Sequence, residues 1–568
     1  MNTKLLLSKI LIGFSICFLV ACGGGGGGGG GETTPEPVIT DTDGDGVADS
    51  SDAFPDDASE TSDADSDGVG DNADNCAEVA NADQADADVN GSGDACDAMP
   101  ETYAYTNSVY TADSDSVSYT GQTARHLLIS GMVDYMEAME ESGKTESEYK
   151  TDLDFFMNGD GADTAPTGFI LKNGDAAGSD VDNAATYGDV STGKNLDGKI
   201  AGGNGEGSGE TGKLIDNEFF GWTDELSVGS LPINLIDLWI DQLAEQASDG
   251  TSVTISTVDG DVNVVSVQYD EYGRNQRQLI QKFLLGAVTF SQGTNDYFQA
   301  DFMTQVTIQE GSKNYTEAEH NFDEAFGYYG AARDNNFYTD LEARAKSGRD
   351  GWKNGYYDTD GNGLIDPRSE FNFGNAQNCA KRDVGSADNT NPTDLSTEAM
   401  DAFLAGRQIL SNAANLGSLS ADEEVALAGH IKTAALTWEK CIAATVIHYI
   451  NDVTTDMGNF SGGNFADVDN FTDLGKHWSE MKGFALGLQF SPFSPFRDES
   501  VTAVDLNDLK TILSDFGDAP VLANGSQNGV AATTDTDSAI AAYIGNLEAA
   551  RQTLETAYGF DAENVAGW

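Results

Sequence analysis

Residues 420–458 read SADEEVALAGHIKTAALTWEKCIAATVIHYINDVTTDMG, a stretch with helix signals at both ends. Ser420 and Glu423 form a capping box, in which each side chain accepts a hydrogen bond from a backbone N–H group of the first turn. The helical run reaches about Met457 and ends at Gly458, a residue type that commonly terminates helices. At 1.5 Å per residue, such a helix would be about 55 Å long.

Helical periodicity marks two segments before the hairpin described below and dominates the chain after it. Helices are predicted over residues 123–139, from Pro232 through LIDLWIDQLAEQ, in QRQLIQKFLLGAV, EAEHNFDEAFGYYG and DLNDLKTILSDFG, and over residues 537–558. The one sheet signal is a hairpin over residues 252–268, where two β-branched runs meet at Asp259-Gly260. Residues 158–216 are rich in Gly, Asp, Asn and Ser and are predicted to form a loop-rich insertion. The pattern predicts a mostly α helical bundle.

Three copies of the pattern D-x-D-x-[DN]-G-x-x-D-x-x-D lie between residues 41 and 97, with Gly46, Gly68 and Gly91 at the sixth place. Alternate positions of a tight loop aim oxygen atoms at one point, as a calcium ion requires, and the glycine permits the sharp turn. The alternative is an acidic spacer without order. The predicted ligands are Asp41, Asp43, Asp45, Asp49 and Asp52, then Asp63, Asp65, Asp67, Asp71 and Asp74, then Asp86, Asp88, Asn90, Asp94 and Asp97.

A fourth loop of this kind, DTDGNGLIDPRSE, lies inside the helical region. Its closing acid stands one place late, because Ser369 occupies the twelfth position and Glu370 follows it. An Asx-rich turn before a helix is the alternative. The predicted calcium ligands are Asp358, Asp360, Asn362, the Leu364 carbonyl and Asp366.

The first residues are basic and apolar in the order of a secretion signal. Lys4 and Lys9 accompany an apolar run that stops at Leu19-Val20-Ala21-Cys22. This resembles a bacterial lipoprotein signal, which implies removal of residues 1–21 and acylation of Cys22, followed by a Gly-rich flexible tether over residues 22–40. Cleavage near Ala21 without acylation is the alternative. No acidic residue directly follows Cys22, which favours the outer membrane, facing either the periplasm or the exterior.

The chain has 95 acidic and 29 basic residues, giving a net charge of −66. Nucleic acid and anionic lipid surfaces bind clustered Lys and Arg, so neither is an expected partner. The globular part has two cysteines, Cys379 and Cys441, which in an oxidising compartment would pair or remain buried thiols.

The acidic repeats carry further landmarks in DNCAEVANADQADADVNGSGDACD, residues 74–97, including Asn75-Cys76 and the Gly93–Asp97 segment. Residues 41–98 thereby resemble thrombospondin type-3 repeats, and we assign residues 41–103 to this region. The resemblance implies a calcium-filled, nearly coreless stalk. It also implies that Cys76 and Cys96 are oxidised, while their pairing stays open.

Three of the five histidines precede a carboxylate by one helical turn. Such pairs present a nitrogen and an oxygen on one helix face, which suits a shared transition metal ion. The alternative is that each carboxylate orients its neighbouring imidazole within a buried polar network. The pairs are His320 with Asp323, His448 with Asp452, and His477 with Glu480.

The segment Gly475–Glu480 fits G-x-H-x-x-E, a signature of imelysin-like proteins, and HNFDEAFGYYG from His320 echoes HWSEMKGFALG from His477. Residues 104–568 thus resemble an imelysin-related family of surface lipoproteins known as a domain of unknown function. The resemblance implies a helical bundle of two related halves, with metal acquisition as its task. The first half departs from the motif, having Ala318 two places before His320 and Asp323 as its acid.

Together these features predict a lipid-anchored, calcium-binding envelope protein whose helical domain binds a metal or metal complex, with iron or zinc as the metal and an envelope transporter or receptor as partner. A non-catalytic adhesion or protein-interaction module with calcium as its only metal is the alternative. A metallopeptidase is a third reading, but the chain has neither H-E-x-x-H nor G-x-S-x-G, and catalysis is not expected.

Overall fold

The computed structural model describes residues 40–97, 99–110, 114–141, 143–169, 184–203, 214–250, 253–257, 260–264, 266–460 and 468–568. The predicted signal sequence, Cys22 and nearly all of the tether therefore lie outside the described residues, as do the central parts of the 158–216 insertion. The chain divides into two compact units, Met1–Ala82 and Asp83–Trp568.

The described part of the first unit, residues 40–82, consists of turns and bends and contains no helix or strand. Its two acidic loops are joined by a short segment in which Glu60 is buried. One Glu60 carboxylate oxygen accepts a hydrogen bond from the backbone N–H of Asn72 at 3.0 Å. Local hydrogen bonds to carboxylates, rather than apolar packing, organise residues 40–82.

The second unit is mostly helical, as predicted. Its α-helices are α1 (Thr120–Ala138), α2 (Glu146–Asn158), α3 (Tyr187–Val190), α4 (Pro232–Asp249), α5 (Gln276–Leu284), α6 (Ser291–Asn295), α7 (Phe302–Gln305), α8 (Glu317–Tyr329), α9 (Asp340–Ala343), α10 (Gly374–Ser386), α11 (Leu395–Leu416), α12 (Ala421–Gly458), α13 (Val468–Gly487), α14 (Leu506–Phe516), α15 (Thr536–Tyr558) and α16 (Ala562–Gly567). None of the described helices is both long and apolar enough to cross a membrane.

The 38-residue helix α12 lies at the centre of this unit and confirms the prediction from its capping box. It packs against α10, α11, α13, α15 and α16. Trp438, fully buried at its middle, lies with its ring centroid 5.2 Å from Phe290 and 5.4 Å from Tyr329. A disulfide between Cys379 of α10 and Cys441 of α12 joins two of these helices covalently.

The predicted helix QRQLIQKFLLGAV is not a single α-helix. After α5 the backbone forms a π-helical turn over Leu285–Phe290 and then continues as α6. The turn brings Gly286 against Gly487 of α13, so closely that a Cβ atom at Gly286 would lie 2.6 Å from the Gly487 Cα. A π-helical turn accommodates one extra residue within a helix, and here it coincides with a close backbone contact.

Two strands, β1 (Val253–Thr257) and β2 (Gly260–Val264), pair antiparallel with Val253 opposite Val264. They fall within the segment for which a hairpin is predicted. Residues 258 and 259 between them, which include Asp259 of the predicted turn, lie outside the described residues.

Candidate metal-binding sites

The first two acidic loops bring three carboxylates together. Ligand oxygens of Asp41, Asp43 and Asp45 lie within 4.8 Å of one another, and those of Asp63, Asp65 and Asp67 do the same. In the first loop Asp41 accepts hydrogen bonds from the backbone N–H groups of Gly44 and Gly46, at 2.8 and 3.3 Å. Gly46 has φ +102°, a conformation that favours glycine and that turns the chain around the cluster.

Some carboxylate oxygens of these loops are buried without a hydrogen-bond partner: Oδ2 of Asp43, Asp45 and Asp65. Partial burial is the largest influence on Asp43 and raises its pKa. A backbone hydrogen bond from Asp45 opposes the increase, and the negative charges of neighbouring aspartates add to it. The pKa of Asp65 is raised for the same reasons, with burial again the largest. These oxygens therefore have unused acceptor capacity, and they belong to aspartates that offer ligand atoms to the two clusters.

The ninth-position aspartates, also predicted as ligands, close their loops. Asp49 accepts hydrogen bonds from both the backbone N–H and the hydroxyl of Thr42, each at 2.8 Å. Asp71 accepts from the Ala64 N–H at 2.7 Å. The hydrogen bonds lower the pKa of both aspartates, and a role in binding an ion stays a prediction.

The third loop belongs to the second unit, where it contacts the helices. Asp88 is buried and accepts a hydrogen bond from the Asn412 side chain of α11 at 3.0 Å. The imidazole of His430, on α12, donates to the Ala87 carbonyl at 2.7 Å. Burial raises the pKa of Asp88. Cys76 and Cys96, in the same acidic region, are both oxidised to disulfides.

In the fourth loop the compact group is Asp358, Asp360 and Glu370. Glu370 is 4% exposed and accepts hydrogen bonds from three backbone N–H groups, including that of Asp366 at 2.8 Å. The Asp366 carboxylate is instead paired with Arg368. Glu370 is absent from the predicted ligand set, although its position one place after the standard closing acid was the available signal.

Two of the three histidine pairs converge at one place, on α12 and α13. His448 Nε2 lies 3.4 Å from Asp452 Oδ2, and His477 Nε2 lies 4.0 Å from the same oxygen. His477 also contacts Asp456 through Nδ1, at 2.8 Å. All four side chains are partly exposed. This group, His448, Asp452, Asp456 and His477, is the histidine cluster below.

The pKa values of the two imidazoles in the histidine cluster are shifted in opposite directions. Burial, together with the positive charge of Arg382, lowers the pKa of His448, which Asp452 only partly offsets. Burial also acts to lower the pKa of His477, but its hydrogen bond to Asp456 and the charges of Asp456 and Asp452 outweigh burial and raise it. His448 therefore keeps an unprotonated nitrogen to lower pH than His477 does.

The predicted partner of His477, Glu480, lies elsewhere. Its Oε1 is 3.3 Å from Lys282 Nζ on α5, and both side chains are largely buried. Burial acts to raise the pKa of Glu480, but the charges of Lys282 and Lys476, with hydrogen bonds to the carboxylate, outweigh burial and lower the pKa. Glu480 thus pins α13 to α5, and the carboxylates around His477 come from α12.

The His320 pair is likewise separated. Asp323 is fully buried and accepts hydrogen bonds from Arg407 Nε at 2.8 Å and from the Tyr103 hydroxyl at 2.9 Å. His320 lies 3.7 Å from Glu310 and 3.9 Å from Glu324. Among the described residues, the groups of three acidic, cysteine or histidine side chains with ligand atoms within 4.8 Å of one another contain no histidine.

The comparisons with known proteins cover part of the chain. A family model described as a domain of unknown function, DUF4856, matches residues 100–342. No curated protein and no solved structure matches the chain. The matched region includes His320 and Asp323, and the histidine cluster lies beyond it. Residues 100–342 are therefore similar to a family of unknown function.

Proposed function

We propose that the acidic loops bind Ca²⁺ and that the protein is a calcium-binding protein of the bacterial envelope. The observation that carries this proposal is the set of buried, unpartnered carboxylate oxygens on Asp43, Asp45 and Asp65. Calcium prefers six to eight oxygen ligands, and closely spaced carboxylates repel one another until a cation neutralises them. The resemblance to thrombospondin type-3 repeats supports the same ion.

The fourth loop would hold its ion through Asp358, Asp360 and Glu370. An ion that binds the folded chain but not the unfolded chain stabilises the fold by RT ln(1 + [Ca²⁺]/Kd). This amounts to about 2.7 kcal/mol per site when the calcium concentration is a hundred times Kd. Extracellular calcium sites with Kd on the order of 10⁻⁴ to 10⁻³ M are half-filled only at comparable calcium concentrations. We therefore expect these loops to be loaded outside the cytoplasm.

Calorimetric titration of the full chain with Ca²⁺ tests this function. Asp43→Asn and Asp65→Asn should each remove about one site from the stoichiometry or weaken it at least tenfold. Asp56→Asn is the matched control, since Asp56 is an exposed acid between the two loops, and it should bind as the parent does. Absence of saturable calcium binding by the parent, or equal binding by all three variants, would reject the proposal.

The envelope location is proposed from the first 22 residues, which resemble a lipoprotein signal. A disulfide between Cys379 and Cys441 is typical of an oxidising compartment and agrees with export. Mass spectrometry of the mature N-terminus should find an acylated Cys22, and Cys22→Ala should leave the protein unacylated. An unmodified N-terminus beginning at Met1 would reject lipid anchoring.

Transition metal binding is a second candidate, favoured by the convergence of His448 and His477 on Asp452. Two imidazoles and a carboxylate are a suitable ligand set for iron or zinc. The side chains would have to move closer, because these ligand atoms do not all lie within 4.8 Å of one another. The resemblance to imelysin-like proteins supports this site and suggests metal acquisition, with an envelope transporter or receptor as partner.

Metal analysis of the full chain, after exposure to iron or zinc and removal of loose metal in calcium buffer, tests the second candidate. Near-stoichiometric metal should remain in the parent and be lost in His448→Ala and His477→Ala. His430→Ala is the control, since His430 lies at the third acidic loop. If the parent holds no metal, the result would favour the alternative function, an adhesion or protein-interaction module with calcium as its only metal. Hydrolysis of unstructured protein that Glu480→Gln abolishes without unfolding the variant would favour a peptidase instead.

A further inference from the structure

A cavity of about 350 Å³ lies beside α1 and the N-terminal end of α10, within the second unit. One side of it is aromatic. The ring centroid of Phe371 is 5.1 Å from that of Phe169, 4.8 Å from that of Phe373 and 5.8 Å from that of Tyr356. Aliphatic side chains of α1, with Leu285 of the π-helical turn, extend this wall. The volume is at the small end of the range of ligand pockets, roughly 300 to 1,000 Å³.

Three cations also line the cavity: Arg344, Lys346 and Lys381. The chain has 95 acidic residues and 29 basic ones, so a basic group without an acidic partner is unexpected. Among the described residues none of these three forms an ion pair, and Asp134 is the only acidic residue lining the cavity. Asp134 is exposed. The cavity is thus a basic pocket in a strongly acidic protein.

Two of the three cations have unused hydrogen-bonding or charge capacity. Arg344 Nε is buried without an acceptor, and a second guanidinium nitrogen only reaches the Ser347 hydroxyl at 3.4 Å. Lys381 donates to a neutral group, the Asn378 side-chain carbonyl, at 3.1 Å. Burial and the positive charges of nearby cations lower the pKa of Lys381 to about 7, and the negative charge of Glu480, which is paired with Lys282, offsets this only in part. A bound anion would supply the missing acceptor and counter-charge.

The backbone around the cavity agrees with an anionic ligand. The N-cap residue of the 13-residue helix α10 is Phe373, whose side chain makes no capping hydrogen bond, and Gly374 of the first turn lines the cavity. Helix N-termini carry partial positive charge and free N–H groups. Ala345, between the first two cations, has φ +61°, a conformation that costs energy in a residue other than glycine and that is common at binding sites.

We propose that this cavity binds a small organic carboxylate with a one- or two-ring apolar body. The carboxylate would accept hydrogen bonds from Arg344 and Lys381, and its body would lie against the wall formed by Phe371 and its aromatic neighbours. Charge alone would suit inorganic phosphate as well. The aromatic wall distinguishes the two, because phosphate would leave it solvated and an aromatic acid would cover it.

Calorimetry with 2-naphthoate, its neutral amide and inorganic phosphate on the full chain tests the proposal. We expect saturable 1:1 binding of 2-naphthoate, at least tenfold weaker binding of the amide and of phosphate, and at least tenfold weaker naphthoate binding in Lys381→Met and Arg344→Gln. Lys346 is exposed, so Lys346→Gln should keep the fold and weaken binding about threefold. Lys510→Gln, which removes a surface cation paired with Glu218, is the control and should bind as the parent does.

Three outcomes would overturn the proposal. The parent would bind no naphthoate, or it would bind the amide equally well, or all three pocket variants would bind as the parent does. Phosphate binding as tight as that of naphthoate would overturn the aromatic half of the assignment. If Lys381→Met or Arg344→Gln fails to fold, as judged by circular dichroism, the ligand comparison on the parent and the Lys346→Gln variant still decide.

Discussion

The Cys379–Cys441 disulfide links two helices of the core across a sequence separation of 62 residues. We expect the double variant Cys379→Ala/Cys441→Ala to lose stability mainly because its unfolded chain is no longer cross-linked. For a loop of this length, the chain-entropy relation gives about 4 kcal/mol at 25 °C. Both cysteines are buried, so reductant should act on the unfolded rather than the native protein.

Guanidinium unfolding, followed by circular dichroism, measures this loss. The double variant should unfold at lower denaturant by an amount equivalent to about 4 kcal/mol. The parent unfolded in reductant serves as a control, because it loses the cross-link without losing the two sulfur atoms. It should match the variant unfolded in the same reductant, which also reduces Cys76 and Cys96 in both proteins. A variant within about 1 kcal/mol of the oxidised parent would contradict the chain-entropy account. Free thiols at Cys379 and Cys441 in the unfolded, unreduced parent would contradict the disulfide itself.

Three further predictions concern buried ionisable groups of the helical unit. Burial raises the pKa of Glu439 to about 7, so the free energy of unfolding should fall by about 3 kcal/mol as pH rises from 4.5 through 7. Denaturant titrations at pH 5 and 8 should show this fall in the parent and not in Glu439→Gln. An unchanged pH dependence in the variant would refute the prediction. Burial lowers the pKa of His126 to about 4, so the free energy of unfolding should fall by about 3 kcal/mol as pH drops from 6.5 to 4. In His126→Gln the same denaturant titrations should show a smaller fall over this pH range. An equally large fall in the variant would count against the assignment. Arg407→Met should cost about 3–5 kcal/mol in chemical unfolding, because it leaves Glu319 and Asp323 buried without their cation; a loss below 1 kcal/mol would show that the pair is not stabilised by this arginine.

Much of the helical fold was accessible from the sequence, because its signals are local. The capping box at Ser420 and the glycine at the other end delimit α12 within a few residues. The predicted helices that correspond to α1, α4, α8, α14 and α15 are also confirmed, with small differences at their ends. The π-helical turn was not accessible, because it accompanies a contact between Gly286 and Gly487, 201 residues apart in the chain.

The candidate sites also differ in whether their residues are close together in the sequence or are brought together by the fold. Each acidic loop draws its carboxylates from a dozen or so consecutive residues, so spacing alone places Asp41, Asp43 and Asp45 together. The histidine cluster takes carboxylates from α12 and an imidazole from α13. Same-helix spacing predicts His448 with Asp452, but it has no means of predicting that His477 contacts Asp456 rather than Glu480. That choice depends on how two helices pack.

The two H-x-x-[DE] segments nevertheless follow one structural rule. In each, the acid three residues after the histidine is buried and paired with a cation from another helix, Asp323 with Arg407 and Glu480 with Lys282. The histidine remains on the more exposed side beside two other carboxylates. Because replacing this acid would leave a buried cation without its counter-charge, which is strongly destabilising, there is a structural reason for an acid at this position whatever the histidine does. Helix packing therefore accounts for the spacing that the two segments share. Of the two residues in each segment, only the histidine lies where it could bind a ligand.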